Sequence, residues 1–282
     1  MARLHAIPRA CLALALLTPM TWVLPAHAAS LPLWELGIGA VGMSVPDYRG
    51  SDQRHFRALP LPYVVYRGEH LRADREGLRA MFFNSERMEL NISAFGALPV
   101  RSNDNDARRG MRDLDTTVEL GPALNFFLGP PGQRKSLQLR LPLRAGLTLD
   151  WPPRHVGWVF APNLLWQARG LGSERAWNVG VSGGPLWQAR RYNATYYSVT
   201  PAEATAARPA YDAPGGYAGA QITFTVSRRF PRYWVAGFLR ADSLSGSSFD
   251  NSPLMRSRSA FYAGVGVSFL LGQSSTRVES FD

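Results

Sequence analysis

Few residues in this chain of 282 residues combine a reactive side chain with a spacing that could support catalysis. Asp150 and His155 share one short segment with Trp151-Pro152-Pro153-Arg154 between them, so a carboxylate could orient an imidazole as a general base beside a loop serine. The same residues also fit a solvated turn between two aromatic side chains. Because no further spacing specifies a nucleophile, the sequence predicts that the protein is not an enzyme, and no catalytic residue is assigned.

Metal ligands are equally sparse. After the first 28 residues the histidines are His55, His70 and His155, and the predicted strand order puts His70 at the opposite end of the molecule from the other two. The single cysteine, Cys11, lies within those first 28 residues. We therefore predict no metal site, no cofactor and no disulfide in the mature chain.

Charged residues also occur on the polar side of segments in which apolar and polar residues alternate, and they are candidates for a role inside the molecule. These residues, predicted to face a lumen, are Glu35, Glu89, Asp115, Glu119, Arg140 and Arg144. Inside a barrel such charges must be paired or hydrated. They could form a salt-bridge network that fills a narrow lumen, or they could line a passage for small anionic solutes or acidic oligosaccharides. Aromatic side chains at the inward positions 95, 127 and 262 would narrow such a passage.

The segment 191–216 is far longer than a hairpin connection needs, and long loops are either functional or disordered. Its aromatic side chains argue against disorder. We predict that it folds over or into the mouth of the barrel as a plug or gate. The candidate binding residues are Tyr196, Tyr197, Arg208, Pro209 and Tyr211, with the stretch 208–211 as a rigid piece.

The elements that position these residues are β-strands, because apolar and polar residues alternate with a period of two. From Leu137 to Trp151 the odd positions are apolar and the even positions are mostly polar, and the pattern recurs over 218–227 and 261–269. These strands are longer than the strands of most soluble sheets. Their length matches that of a tilted transmembrane strand, which needs about 9–11 residues to cross a bilayer. With 46% apolar and 18% charged residues, the composition excludes a disordered chain.

The whole pattern predicts an all-β fold, a closed antiparallel transmembrane β-barrel of twelve strands. The predicted strands are 34–43, 56–66, 70–74, 78–83, 87–98, 113–128, 135–149, 156–169, 175–190, 216–229, 232–243 and 258–270. Connections on one side are short and those on the other are mostly long, as in bacterial outer-membrane barrels. The count depends on a hairpin turn at 74–77; a single bent strand with a bulge is the alternative there.

The first 28 residues resemble a cleaved secretory signal peptide. Arg3 and Arg9 precede an apolar stretch that is too short to span a membrane, and Ala26-His27-Ala28 fits a cleavage site. The predicted divisions are therefore a signal peptide at 1–28, a barrel at 29–270 and a periplasmic tail at 271–282. The formal net charge of +10 does not indicate nucleic acid as a partner, because export separates the protein from it. The arginines of the loop 101–110 fit either an ordinary solvated loop or contact with lipopolysaccharide phosphates.

Several motifs are similar to those of one family. They are Pro46-Asp47-Tyr48-Arg49-Gly50-Ser51, Pro60-Leu61-Pro62-Tyr63, Tyr196-Tyr197-Ser198-Val199, the stretch 208–217 from Arg208-Pro209 to Gly216-Tyr217, and Ser252-Pro253-Leu254. In this order they resemble the MltA-interacting protein (MipA)/OmpV family of Gram-negative outer-membrane proteins, across essentially the whole mature chain. One departure is that residues 270–282 follow Phe269, whereas such barrels commonly end on an aromatic residue of the last strand.

The resemblance implies a cell outer-membrane location and a non-enzymatic scaffold in cell-wall remodelling. The partners that it implies are a murein-degrading lytic transglycosylase and a murein synthase. Outer-membrane lipid and lipopolysaccharide are the partners that the apolar strand faces and the loop arginines predict. A narrow channel is the alternative function.

Overall fold

The computed structural model describes residues 29–74, 77–97, 99, 101–130, 133–172 and 176–280. The signal peptide predicted over 1–28 lies outside these residues. The strands are β1 (Ala29–Pro32), β2 (Trp34–Pro46), β3 (Arg54–Arg67), β4 (Leu71–Asp74), β5 (Gly77–Asn84), β6 (Met88–Ala97), β7 (Thr117–Phe127), β8 (Lys135–Thr148), β9 (His155–Phe160), β10 (Asn163–Leu171), β11 (Trp177–Gln188), β12 (Gly216–Arg229), β13 (Tyr233–Ser243), β14 (Ser259–Gln273) and β15 (Arg277–Ser280).

Strands β2 to β14 form one antiparallel sheet that closes on itself, because β14 pairs with β2 from Ala263↔Ser44 to Gln273↔Glu35. β9 and β10 act as one wall strand that is interrupted at Ala161-Pro162, since both of them pair with β8 and with β11. The prediction of a closed barrel of twelve strands is therefore confirmed. Closure satisfies the backbone N–H and C=O groups of the first and last strands, which hydrocarbon could not hydrogen-bond.

The hairpin on which the strand count depended is also confirmed. β4 and β5 pair from Leu71↔Ala80 to Asp74↔Gly77, so the chain reverses there instead of continuing as one bent strand. Both strands are short, with four and eight residues, whereas β3 before them has 14.

The alternation of side chains separates two environments. On β8 the side chains of Gln138 and Thr148 are buried inside the barrel, whereas Leu137 and Leu143 are about 40% exposed on the outer surface. Other large apolar side chains on the outer surface include Ile38, Phe56, Ile222, Leu239, Val265 and Phe269. Lipid tails cover such an apolar belt. The alternation of apolar and polar residues along a strand therefore indicates which side chains face lipid and which face the lumen.

The long loops gather at one end of the barrel and the short turns lie at the opposite end. Following the orientation predicted from the loop lengths, we call these the outer end and the periplasmic end. A short helix, α1 (Arg190–Tyr197), follows β11 and was not predicted from the sequence. Most buried apolar side chains cluster around it, including Tyr48, Leu186, Tyr197, Leu244 and Phe249. Within the described residues no helix is long and apolar enough to cross a membrane.

The predicted periplasmic tail, residues 271–282, includes residues of two strands. β14 continues to Gln273, and β15 then pairs with β1 from Pro32↔Arg277 to Ala29↔Ser280. The hydrogen bond from Leu33 N to Thr276 O, at 2.9 Å, joins this pairing to that of β2 with β14. The two chain ends thus form a two-stranded ribbon that extends the barrel wall. We call β1 and β15 together the terminal ribbon.

Candidate functional site

Helix α1 closes the outer mouth of the barrel from inside. Its entry next to β9 depends on Gly157, whose φ of +127° suits glycine and whose position would put a Cβ 2.5 Å from the backbone nitrogen of Tyr192. The Tyr192 hydroxyl donates to Glu119 Oε1 at 2.7 Å. No side chain caps the start of the helix at Ala189, so packing of its tyrosines holds it in place.

Tyr197 ties α1 to two outer loops. Its hydroxyl donates to the Arg49 carbonyl oxygen at 2.8 Å, and its ring stacks on Phe249 with centroids 3.8 Å apart and planes 9° apart. Ser252 Oγ donates to the Tyr197 carbonyl oxygen at 2.7 Å. These groups come from the loops after β2 and β13, so α1 and these loops form one packed unit. We call this unit the plug.

A buried arginine extends this unit to the loop between β6 and β7. The Arg108 guanidinium donates to Ser102 Oγ and to the carbonyl oxygens of Arg112 and Tyr196, at 3.0–3.2 Å. Burial lowers its pKa from the ordinary value, and burial also raises the pKa of the neighbouring Tyr48, which therefore stays a neutral donor to Leu254 O. The loops that motifs 46–51 and 252–254 occupy thus meet here.

Arg208 fastens the far part of the segment 191–216. Its guanidinium donates to the carbonyl oxygens of Ala107, Arg109 and Glu203 at 2.8–3.3 Å. The five predicted binding residues therefore do not form one binding surface. Tyr196 and Tyr197 face the interior, Arg208 is saturated by backbone oxygens, Pro209 is exposed and Tyr211 pairs with Val199.

Replacing Arg208 with lysine is expected to loosen the contact between the loops 101–116 and 198–215. An ammonium group cannot reproduce the forked donation to three carbonyl oxygens, and loss of such charged hydrogen bonds costs about 1.5–3 kcal/mol locally. Trypsin should then cleave these loops in outer-membrane vesicles about tenfold faster, since about 1.4 kcal/mol corresponds to a factor of ten. The exposed Arg191→Lys is the matched control; equal cleavage of the two variants would contradict the assignment.

Glu35 is the most deeply buried of the predicted lumen charges. Its side chain is fully buried, and its carboxylate contacts the guanidinium groups of Arg67 at 2.9 Å and Arg229 at 2.6 Å and accepts from the Tyr63 hydroxyl at 3.3 Å. These partners come from β3 and β12, on either side of the β2–β14 pair. The carboxylate therefore links strands at the point where the barrel closes.

The other inward charges are also held by neighbours. Glu89 Oε1 accepts from Asn91 at 2.5 Å and Asn125 at 3.2 Å, and Arg79 lies 3.6 Å away. Arg144 Nη1 lies 3.8 Å from Glu119 Oε2, and Arg144 Nε donates to Ser93 Oγ at 3.0 Å. Arg140 donates to Gln138 Oε1 at 3.0 and 3.2 Å.

Asp115 differs from the prediction, because it does not lie on a strand. β7 begins at Thr117, and Asp115 belongs to the outer loop before it, where its carboxylate contacts Arg154 at 2.5 Å and Arg112 at 3.3 Å. Alternation continues through 113–116 in the sequence, but the chain leaves the sheet there to meet the loop after β8. Asp115 is thus an outer-loop ion pair and not a lumen charge.

One buried ion cluster was not predicted from the strand patterns. Asp242 contacts Arg49 Nε at 2.6 Å and Arg240 Nε at 2.7 Å, and its side chain is fully buried. The alternation of Arg240 and Asp242 with Leu239 and Ala241 marks both as inward residues. Arg49 carries no such signal, because it lies in a loop and folding alone brings it to Asp242.

The residues considered for catalysis or metal binding each contact a different neighbour. Asp150 contacts Arg154 at 3.3 Å, and the His155 ring packs edge-on against Trp158 with centroids 5.6 Å apart. His55 Nδ1 lies 2.6 Å from Asp47 Oδ1. Among the described residues, no group of three or more His, Cys, Asp and Glu side chains is placed to hold a metal ion.

Below the plug, the lumen contains a cavity of about 960 Å³. Residues of the periplasmic turns, among them Ser85, Glu86 and Gly129, line its lower part, and so does Glu279 of the terminal ribbon. Small residues on β11, β12 and β14 leave the space free: Gly180, Thr225, Gly264, Gly266 and Ser268. The molecule is therefore closed by packed loops at its outer end and hollow towards the periplasmic end.

Comparisons with known proteins place these features in a family. The family model described as MltA-interacting protein MipA matches residues 38–271. The chain is 24% identical over 247 residues to outer membrane protein Omp26La of Vibrio anguillarum, covering 84% of this chain and 86% of that protein. It is 23% identical over 251 residues to outer membrane protein OmpV of Vibrio cholerae, with the same two coverages. The solved toluene transporter TodX of P. putida is 11% identical, with a TM-score of 0.29 over 86% of this chain and 68% of that one.

Proposed function

Because the chain belongs to the MltA-interacting protein MipA family, we propose that this outer-membrane barrel is a non-enzymatic scaffold for cell-wall remodelling. Its partner would be a murein-degrading lytic transglycosylase, held at the periplasmic face together with a murein synthase. The family's name records an interaction with MltA, a murein transglycosylase. The proposal extends that interaction to this chain.

The terminal ribbon is the observation that supports the proposal most. It adds four residue pairs below the end of the β2–β14 ladder, which is about 13 Å of strand. Arg277 Nη1 donates to the Ser30 carbonyl oxygen at 2.8 Å and so crosses the two strands. Among the described residues, neither β1 nor β15 pairs with a third strand. A sheet edge of this kind is a template on which an extended segment of another protein can add a strand.

The remaining periplasmic surface is small. The turns between strands at this end are short, for example 68–70 between β3 and β4 and 230–232 between β12 and β13. The outer loops are on the far side of the membrane from any murein enzyme. A periplasmic partner must therefore bind the terminal ribbon, the short turns or the mouth of the lumen between them.

Removing residues 275–282 is expected to abolish partner capture without unfolding the barrel. The variant loses β15 but keeps β14 through Gln273 and its pairing with β2. The measurement is crosslinking in intact cells, affinity capture of the tagged barrel and quantification of the lytic transglycosylase relative to wild type. The tag belongs in an outer loop, so that it does not interfere with the chain end.

Two controls show whether a loss of capture is specific to the ribbon and whether the barrel is still folded. Asp106→Ala, in an exposed outer-loop pair with Arg109, should capture as much transglycosylase as wild type. The truncated barrel must still migrate as a compact species before heating in detergent. A compact, truncated barrel that captures a normal amount of transglycosylase would refute the ribbon as the contact, and capture of none by wild type would refute the scaffold.

Lipid and lipopolysaccharide are the proposed partners of the outer surface. The apolar belt would contact lipid tails, and the exposed side chains of Arg101, in an outer loop, and Arg191, at the start of α1, could meet lipopolysaccharide phosphates. Two arginines of the loop 101–110 are less available, because Arg108 is buried and Arg109 pairs with Asp106 at 2.5 Å.

The second candidate function is a narrow channel for small anionic solutes or acidic oligosaccharides. The cavity below the plug supports it, because Arg72, Arg79 and Arg169 line that space. Passage would require the plug around α1 to move, since it fills the outer mouth.

A further inference from the structure

The barrel wall is incomplete beside β3. β3 pairs along its full length with β2, from Trp34↔Tyr66 to Pro46↔Arg54. On its other side it pairs with β4 only through Tyr66↔Ala73 and Arg67↔Arg72. Two of its 14 residues are thus paired on that side, which leaves twelve, Arg54 to Val65, without a strand partner there among the described residues. The short hairpin of β4 and β5 covers only the periplasmic end of this edge. We call the unpaired edge of β3 the notch.

The sequence of β3 suits an unpaired edge inside a membrane. Pro60 and Pro62 lie within the notch, and the pairing with β2 continues without interruption through Ala40↔Pro60 and Ile38↔Pro62. Proline has no N–H and occurs in sheets where that group would point away from a neighbouring strand. Here the two prolines remove donors that hydrocarbon could not satisfy, which lowers the cost of leaving this edge open.

The lumen wall behind the middle of the notch, at Leu59 and Leu61, is apolar. Leu61 points inward, as Tyr63 and Val65 do, yet 47% of its surface is exposed and it lines the cavity. Val41 and Phe238 line the cavity as well. Leu59, opposite Val41, extends the patch along β3. On the far wall the inward residues include Gly180, Thr225 and Ser227.

We propose that the notch admits small apolar molecules dissolved in the membrane to the cavity, where they bind against Leu61, Val41 and Phe238. The cavity of about 960 Å³ is within the range of small-molecule sites, roughly 300–1,000 Å³. The plug closes the direct route from outside, so the route leads sideways from the bilayer into the lumen. The lower end of the cavity, at the periplasmic turns, gives the exit. This inference is independent of the scaffold.

Cysteine labelling tests the sideways route. The only cysteine of the chain lies at position 11, in the predicted signal peptide, so Leu61→Cys and Thr225→Cys each introduce a single thiol. Thr225 is a matched control, because it also faces the lumen, lines the cavity and is exposed there. Each variant in proteoliposomes is labelled with N-(1-pyrenyl)maleimide, which dissolves in the bilayer, and with a sulfonated maleimide, which stays in water.

The ratio of the two labelling rates is the readout. For Leu61→Cys the ratio of apolar to charged reagent should exceed that for Thr225→Cys by about tenfold, because burial of an aromatic ring from the membrane side favours the apolar reagent by more than about 1.4 kcal/mol. Equal ratios would overturn the notch as an entrance. A variant that misfolds is recognised by its electrophoretic mobility before heating, and the comparison then uses Leu59→Cys.

Binding in the cavity has its own test. N-phenyl-1-naphthylamine, a small apolar fluorophore, is titrated into the purified wild-type barrel and into Leu61→Asp and Thr223→Asp. A charge at position 61 should weaken binding about tenfold or more, because it replaces apolar contact. Thr223→Asp should change it by less than about twofold, because Thr223 shares the inward face of β12 with Thr225 but is not part of the cavity lining. The same loss in both variants, or no binding by wild type, would overturn the proposed site.

Discussion

Replacing Glu35 with alanine is expected to lower the free energy of unfolding by about 3–5 kcal/mol, the usual cost of removing one partner from a buried ion pair. The carboxylate is fully buried between Arg67 and Arg229, which remain in place without it. Urea unfolding in detergent, followed by tryptophan fluorescence, measures the change. The effect should be large because the lost group joins β2 to β3 and to β12, next to the seam of the barrel.

Two controls separate the buried ion cluster from a surface pair. Glu35→Gln keeps the shape and one acceptor, so its cost should fall between wild type and Glu35→Ala. Asp106→Ala removes an ion pair whose two side chains are each 69% exposed, and it should cost less than about 1 kcal/mol. If Glu35→Ala cost no more than Asp106→Ala, the cluster would not contribute to closure.

Replacing Phe249 with alanine is expected to release the plug and open the outer mouth. The side chain is fully buried and stacks on Tyr197, and such a truncation costs about 3–5 kcal/mol. The loss falls on the contact between α1 and the loop after β13, not on strand pairing. Single-channel recording in planar bilayers should therefore show open events for Phe249→Ala and a closed barrel for wild type.

Pro209→Ala is the control for this variant, because Pro209 is exposed on the same outer surface and makes no buried contact with α1. Its recordings should match those of wild type. Closed recordings from a correctly folded Phe249→Ala barrel would argue against the channel as a second function. Open recordings with normal transglycosylase capture would show that plug and scaffold are separate properties of the molecule.

Most of the barrel could be predicted from the sequence because side-chain alternation is a local property. Each strand records in its own residues which side faces lipid, as Leu137 and Gln138 do on β8, and the turn at 74–77 was predicted correctly. The prediction of a lumen position was wrong for Asp115, because the alternation of apolar and polar residues continues beyond the end of the sheet there. It also gave no signal for α1, which has no side-chain cap and depends on the burial of Tyr192 and Tyr197 among loops that are distant in sequence.

The sequence by itself determined the strand number, the lipid-facing side of each strand and the presence of charges inside. Only the tertiary structure decided their partners: Glu35 meets Arg229 across 194 positions, and Arg49 meets Asp242 across 193. The notch beside β3 and the terminal ribbon also appeared only in the fold. The physical reason is that facing depends on neighbours one or two residues away, whereas register and closure bring together groups from opposite ends of the chain.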